Sequence, residues 1–388
     1  MPVSIESCTR LARRDRRAGI RSDAVEAEKT SPGPAGGPDP IHETVETAMP
    51  QVQTRERQLE YTDEVAEATE HIWPKVEGSI PRFEWEMKAP LIAEINRLKV
   101  ERDAVILGHN YQVPEIFHGV SDYTGDSLGL ARQAREADAE YIVFCGVHFM
   151  AETAAIVNPD RTVLIPDLEA GCSLSESITV EEVRALKEKY PDAPVVCYMN
   201  TPADIKAESD ICCTSANAKA VVESLGSDRV IFLPDQYLAE NVAAQTDVEV
   251  ITTDGKCIVH EQFTAEQIRA YRKQYPGIEV VAHPECSPEV CEEADFVGST
   301  SGMIGHLDEA ESDRVIMVTE CSMSDNVQEA HPDLDLVKPC TLCPHMKKIT
   351  LEKTLESLRE LEHEVEVPPE IREPALESVE RMLAVGRS

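Results

Sequence analysis

Three apolar runs in this chain end in polar clusters at a nearly constant spacing. They are "AVILGHNY" from Ala104, "PVVCYMN" from Pro194 and "EVVAHPE" from Glu279. Their polar ends begin at His109, Tyr198 and His283, and Tyr198 stands 89 residues after His109 and 85 before His283. Small hydroxyl-rich turns leading into helical sequence follow in each case, with Ser127, Ser215 and Thr300 at equivalent places. A second apolar run comes next ("YIVFCGVHFMAETA", "RVIFLPDQYLAENVA", "RVIMVTECSMSDNV"), and a third element closes on a cysteine. These cysteines are Cys172, Cys257 and Cys343; Cys257 lies 85 residues after Cys172, and Cys343 lies 86 after Cys257. Features recurring in one order at one period are the signature of a repeated supersecondary unit.

Short apolar runs alternating with helical stretches predict parallel α/β structure. The expected fold is three homologous αβα units, Rossmann-like with parallel sheets, around a pseudo-threefold axis. We place them at residues 83–175, 176–260 and 261–345, followed by C-terminal helices over 346–388. "PRFEWEMKAPLIAEINRLKVERDA", from Pro81, reads as the first amphipathic helix. Residues 1–82, with the Pro/Gly stretch "SPGPAGGPDP", lack a sustained apolar period and read as a disordered extension.

Ligands of open α/β units bind beyond the carboxyl ends of the strands. Three such ends meeting on one axis would deliver three polar clusters, three hydroxyls and three thiolates to one cavity. Three thiolates together require a cation, and soft sulfur ligands favour zinc or an iron–sulfur cluster. Three protein ligands leave one coordination position open for chemistry. "CTLC" (Cys340 to Cys343) has no second C-x-x-C to complete a four-cysteine site, and the repeat makes Cys340 a bystander. Helix starts near Ser127, Ser215 and Thr300 suit anionic substrate groups. His109, Tyr111, Tyr198, His283 and Glu285 are candidate acids and bases. No P-loop or dinucleotide glycine motif is present.

Composition narrows the partners. The chain has 37 Lys and Arg against 72 Asp and Glu, a net charge of −35, which disfavours nucleic acid and anionic membrane. No apolar run reaches the roughly 18 residues of a membrane span. The Arg-rich start lacks the apolar stretch of a secretory leader, so the twelve cysteines are expected as reduced thiols in a cytoplasmic protein. Cys145, Cys197, Cys286 and Cys321, in or beside apolar runs, read as core residues, and Cys212 and Cys213 as non-ligands. His148 and His260 read as hydrogen-bonded scaffold, and Glu152, Glu240 and Asp325 as capping or solvated positions.

The segments "GHNYQVPEIFHGVSDYTGDSLGLARQA", "VFCGVHFMAETAAIVNPDRTVLIPDLEAGCSL", "VVCYMNTPADIKAESDICCTSANA", "KCIVHEQF", "AHPECSPEV", "FVGSTSGMI" and "CPHMKKITLE" together resemble the quinolinate synthase family, from about residue 85 to about 365. The acidic composition resembles versions from halophilic archaea. The resemblance implies a transferase of NAD biosynthesis that condenses iminoaspartate with dihydroxyacetone phosphate to give quinolinate, phosphate and water. It further implies one [4Fe-4S] cluster per chain on Cys172, Cys257 and Cys343, with an open iron acting as Lewis acid. Substrate-binding positions carried over are His109, Ser127, Tyr198, Met199, Asn200, Ser215, His283, Pro284, Glu285 and Thr300. Tyr111, Tyr198 and Glu285 are the implied proton-transfer residues. Functional coupling to an enzyme supplying iminoaspartate is part of the same expectation.

This chain departs from some relatives, which carry C-x-x-C-x-x-C where it has Val337, Cys340 and Cys343. A regulatory disulfide between the first two of those positions is therefore not available in that form. Two other readings keep the three thiols: a zinc- or iron-dependent hydro-lyase for another small diacid, and a redox-sensing regulator.

Overall fold

A computed structural model describes residues 21–22, 59–310 and 312–386. Its first strand, β1 (Arg21–Ser22), precedes three four-stranded groups. The first holds β2 (Ala104–His109), β3 (Tyr123–Gly125), β4 (Tyr141–Cys145) and β5 (Thr162–Leu164), in the order β3-β2-β4-β5. The second holds β6 (Val195–Tyr198), β7 (Ile211–Cys213), β8 (Arg229–Leu233) and β9 (Glu249–Thr252), in the order β7-β6-β8-β9, with β1 outside β9. The third holds β10 (Glu279–Ala282), β11 (Phe296–Val297), β12 (Arg314–Val318) and β13 (Asp335–Val337), in the order β11-β10-β12-β13. Every neighbouring pair is parallel.

One order thus recurs: second, first, third, fourth. The chain reverses its direction of travel across the sheet between the first and third strands. That switch point opens a crevice at the strands' carboxyl ends. Helices cover both faces of such a sheet, so its central strands read as continuous apolar runs rather than alternating ones. Ile142 to Cys145, Val230 to Leu233 and Val315 to Val318 are all buried. Each large side chain among them contributes about 1.5–3 kcal/mol by leaving water.

After each fourth strand the chain makes a turn holding one of the three repeat cysteines and enters a helix eight residues later. Those helices are capped by Thr179, Thr264 and Thr350, each accepting from the amide three residues on. Glu182 and Gln267 complete capping boxes on the first two. The C-terminal helices return to earlier units. In the first, Leu351–Glu360, Leu355 and Leu358 are buried and the Arg359 carbonyl accepts from the guanidinium of Arg102, in the Arg82–Arg102 helix, at 3.2 Å. The second, Pro369–Val385, covers β7, where Ser378 Oγ bonds Cys212 Sγ at 3.3 Å and donates to the Lys206 carbonyl at 2.9 Å.

Two expectations need correction. Most of the segment read as a disordered extension lies outside the described residues, but 59–82 forms helices at Asp63–Thr69 and Trp73–Val76. Trp73 packs at a tilt against Trp85 with centroids 5.5 Å apart, and Ile72 and Val76 are buried. The apolar residues there pack onto the long helix that follows, a partner that a local search for periodicity does not weigh. Cys321 and Cys340, expected as a core thiol and a bystander, form a disulfide with Cα atoms 4.6 Å apart. Backbone pairing brings the two together: the Cys321 amide donates to the Thr341 carbonyl at 3.0 Å, and Glu320 bridges to Thr341. The nine other cysteines among the described residues are free, and Cys145, Cys197, Cys212, Cys213 and Cys286 are buried.

Candidate active site

The three repeat cysteines share one local geometry. The amides of Glu176, Glu261 and Lys347 donate to the carbonyls of Cys172, Cys257 and Cys343, four residues back, at 3.0–3.1 Å. Short 3-10 turns follow at Ser175–Ser177, His260–Gln262 and Met346–Lys348. This winding aims two amides at each sulfur: Leu174 and Ser175 at Cys172, Val259 and His260 at Cys257, His345 and Met346 at Cys343. All three cysteines line one cavity, walled by residues from all three units. Burial pushes the Cys172 thiol up to about 12, raises Cys343 and lifts Cys257 well above the ordinary thiol range. Six amide donors around the sulfurs of three half-buried cysteines favour the thiolate form once a cation replaces the protons. The residues present fit a soft metal centre with one ligand from each unit.

The first strand of each unit supplies the facing wall. His109 and Tyr198 end β2 and β6, and His283 immediately follows β10. Both histidines fold back on their own loops: His109 Nδ1 accepts from the Tyr111 amide at 3.2 Å, and His283 Nδ1 from the Glu285 amide at 3.4 Å. With Nδ1 accepting, each ring carries its proton on Nε2. His283 Nε2 is 3.2 Å from Ser215 Oγ. Burial lowers His109 to about 4 and His283 to about 3, so both are neutral donors near pH 7. Ser127 and Thr300 are the first residues of helices capped by Asp126 and Ser299. Ser215 differs, because its helix starts only at Ala218; the hydroxyl lies in the preceding loop rather than at the helix start.

A hydrogen-bonded chain joins the two phenols. Tyr111 OH lies 2.6 Å from Thr319 Oγ1, which lies 3.0 Å from His260 Nε2. His260 Nδ1 lies 2.7 Å from Glu285 Oε2, and Glu285 Oε1 accepts from Tyr198 OH at 2.5 Å. Asn200 Nδ2 also reaches Glu285, at 3.5 Å. Burial, then the Glu285 charge, pushes both phenols well above their ordinary value. Burial alone would raise the Glu285 carboxyl as well. The imidazoles of His260 and His283 and the hydrogen bonds from His260 and Tyr198 outweigh it and hold the carboxyl below the usual range.

The cavity wall includes His109, Tyr111, Ser127, Tyr198, Asn200, Ser215, His283, Glu285, Thr300 and the three cysteines. Met199 and Pro284 are not part of that wall; Met199 is buried against Thr153, whose hydroxyl approaches its sulfur at 3.3 Å. His260 and Thr319 are the residues that sequence reasoning missed. His260, expected as scaffold, lines the cavity, and with Cys257 and Glu285 it offers ligand atoms within 4.8 Å of one another, a set able to hold a divalent ion. A column-by-column comparison of the repeats would have found both. Three residues past each cysteine stand Ser175, His260 and Met346; after each third strand stand Gly146, Pro234 and Thr319. In these two columns His260 and Thr319 are the residues that join the hydrogen-bonded chain.

Residues 93–384 match the family model for the quinolinate synthetase A protein. The "Quinolinate synthase" of Sinorhizobium fredii is 58% identical over 325 residues, covering 84% of this chain and 90% of the relative. "Quinolinate synthase 1" of Mesorhizobium japonicum is 58% identical over 314 residues, covering 81% and 97%. The "Quinolinate synthase" of Caulobacter vibrioides is 50% identical over 327 residues, covering 83% and 89%. All three relatives are bacterial, and the halophilic archaeal source suggested by the acidic composition finds no support among them. Among the described residues no helix is long and apolar enough to cross a membrane.

Proposed function

The chain is an enzyme of the quinolinate synthase family, and from that membership we propose that it condenses iminoaspartate with dihydroxyacetone phosphate to quinolinate, releasing phosphate and water, as a step toward NAD. The observation that carries this reading is the meeting, in one cavity, of a thiol from every unit with the Tyr111–Thr319–His260–Glu285–Tyr198 chain. Cys172, Cys257 and Cys343 would hold a [4Fe-4S] cluster, which would supply Lewis-acid assistance to the loss of a hydroxyl.

The side chains divide the remaining work. Neutral His109 and His283 donate through Nε2 to the carboxylate, phosphate or carbonyl oxygens of the reactants. Ser127, Ser215 and Thr300 add hydroxyl donors, and the helix starts at Ser127 and Thr300 favour anionic groups. Tyr111 in its neutral form is a poor base. Its proton can pass to Thr319 Oγ1 as the Thr319 proton moves to His260 Nε2, while Glu285 stabilises the imidazolium through Nδ1–H. This is the logic by which a hydroxyl, an imidazole and a carboxylate activate a nucleophile in hydrolases. Tyr198, bonded to the other oxygen of Glu285, returns a proton from the other end of the hydrogen-bonded chain. The apolar wall of Val147, Phe149 and Met150 limits water around these transfers.

Anaerobic purification with iron and sulfide quantified, followed by an assay for quinolinate, tests the proposal. Brown protein with about four irons per chain that forms quinolinate from the two substrates is the expected outcome. Colourless protein with one zinc per chain and no quinolinate would replace this reading with the hydro-lyase. A loaded cluster without turnover would replace it with the redox sensor.

A further inference from the structure

The three helices that follow the third strands, His148–Val157, Gln236–Ala243 and Cys321–Val327, each place their sixth residue against the next unit. Those residues are Thr153, Asn241 and Asn326. Asn326 Nδ2, from the third unit, donates to the carbonyls of Asn110 at 3.0 Å and Gln112 at 2.7 Å in the first. Asn241 Nδ2, from the second unit, donates to the carbonyls of Pro284 at 2.8 Å and Cys286 at 2.9 Å in the third. It also lies 3.3 Å from Cys291 Sγ. The carbonyls gripped in each case belong to the residues immediately before and after a proton-transfer side chain, Tyr111 in one loop and Glu285 in the other. Thr153 reaches Met199 at the matching point of the second unit with a single donor, so the contacts run around the ring.

We propose that Asn241 and Asn326 are positioning residues, whose amides hold the Glu285 and Tyr111 loops in register across the unit boundaries. An amide nitrogen has two protons, and here both are used on carbonyls two residues apart, which fixes the intervening residue as well as the loop's distance. The two gripped loops are built alike. Gln112 and Cys286 donate their amides to His109 and His283 three residues back, at 2.9 and 3.0 Å, and both histidines fold onto the intervening amide. Both asparagines are buried, so their bonds meet little competition from water. One end of the five-member proton chain, Tyr111, and its fourth member, Glu285, therefore depend on clamps supplied by units other than their own. A small displacement of a positioned group is enough to lower turnover about 100-fold.

This proposal rests on the reading of Tyr111 and Glu285 as proton-transfer groups, so its test has a second readout. Loaded wild-type protein is compared with Asn241→Ala and Asn326→Ala for quinolinate formation and for amide exchange in peptides covering 109–113 and 283–287. Asn326→Ala should lower kcat about 10- to 100-fold with KM within about threefold, and speed exchange in 109–113 but not in 283–287. Asn241→Ala should do the reverse in exchange, with a similar loss in kcat. Iron content should match wild type in both. Unchanged kcat, or exchange that rises evenly over all three units, overturns the clamp. If the alanine variants do not fold, Asn241→Ser and Asn326→Ser, which keep one donor, decide by the same criteria. If wild type itself makes no quinolinate, the functional reading fails and exchange alone judges the clamp: a change confined to the opposite loop supports it, and no change overturns it.

Discussion

Glu285→Gln separates chemistry from architecture at the centre of the proton chain. The carboxylate accepts from Tyr198 at 2.5 Å and faces His260 at 2.7 Å, and it is almost fully buried. Glutamine keeps the shape and removes the charge that stabilises a protonated His260. Positioned acid–base groups contribute roughly 10²–10⁴ in rate, so kcat should fall by that factor, about 3–5 kcal/mol of barrier. The fold should survive. Breaking a buried ion pair is costly when an uncompensated charge stays behind, by about 3–5 kcal/mol, and here the charge itself leaves. The assay is initial-rate quinolinate formation by anaerobic protein whose iron and sulfide have been measured. A variant with full iron and a kcat within threefold of wild type would refute the role of Glu285 in proton transfer.

A second arm uses stability. The folded Glu285 carboxyl lies below its unfolded value of about 4.3. Its contribution is therefore complete above that unfolded value and is lost as pH falls through the depressed folded one. Urea unfolding at pH 7 and near pH 4 should show the gap between wild type and Glu285→Gln changing in that direction. A gap independent of pH would mean that Glu285 is not held as a carboxylate by its neighbours.

Four further outcomes follow from the same geometry. Cys257→Ser should lose the iron complement while far-UV circular dichroism stays near wild type, since each sheet has its own buried strands; a full iron complement would contradict the ligand assignment. Thr319→Val, which removes the hydroxyl between Tyr111 and His260, should lower kcat about 10²-fold or more with little change in KM, and an unaffected kcat would rule out the relay. Cys340→Ser opens the loop closed between Cys321 and Cys340, 19 residues apart, and should cost about 3 kcal/mol in thermal or urea unfolding of the oxidised protein; identical Tm values would show that the bond adds nothing. His283, folded at about 3 against about 6.5 unfolded, binds its proton more readily when unfolded. Its effect is absent above pH 6.5 and weakens the fold as pH falls from there toward 3, so His283→Gln should flatten the acid limb of a stability–pH curve.

The fold was legible because its signal repeats. Parallel strands covered on both faces leave dense apolar runs, and three copies of one such pattern announce three units and equivalent cysteines before any contact is known. The single-copy features were not visible by the same means. His260 sits where its sister positions hold Ser175 and Met346, and Thr319 where they hold Gly146 and Pro234, so averaging over the repeat hides both. Only closure of the ring brings them between Tyr111 and Glu285, residues of the first and third units. The Cys321–Cys340 bond likewise depends on a backbone pairing between Glu320 and Thr341 that neither cysteine's neighbours reveal. Repetition builds a cavity with three similar walls, and the proposed condensation needs dissimilar ones. The departures from the repeat are therefore where acid, base and hydroxyl were introduced, whereas the asparagines at 241 and 326 remain alike because both perform the same structural task, each holding a neighbour's loop in place.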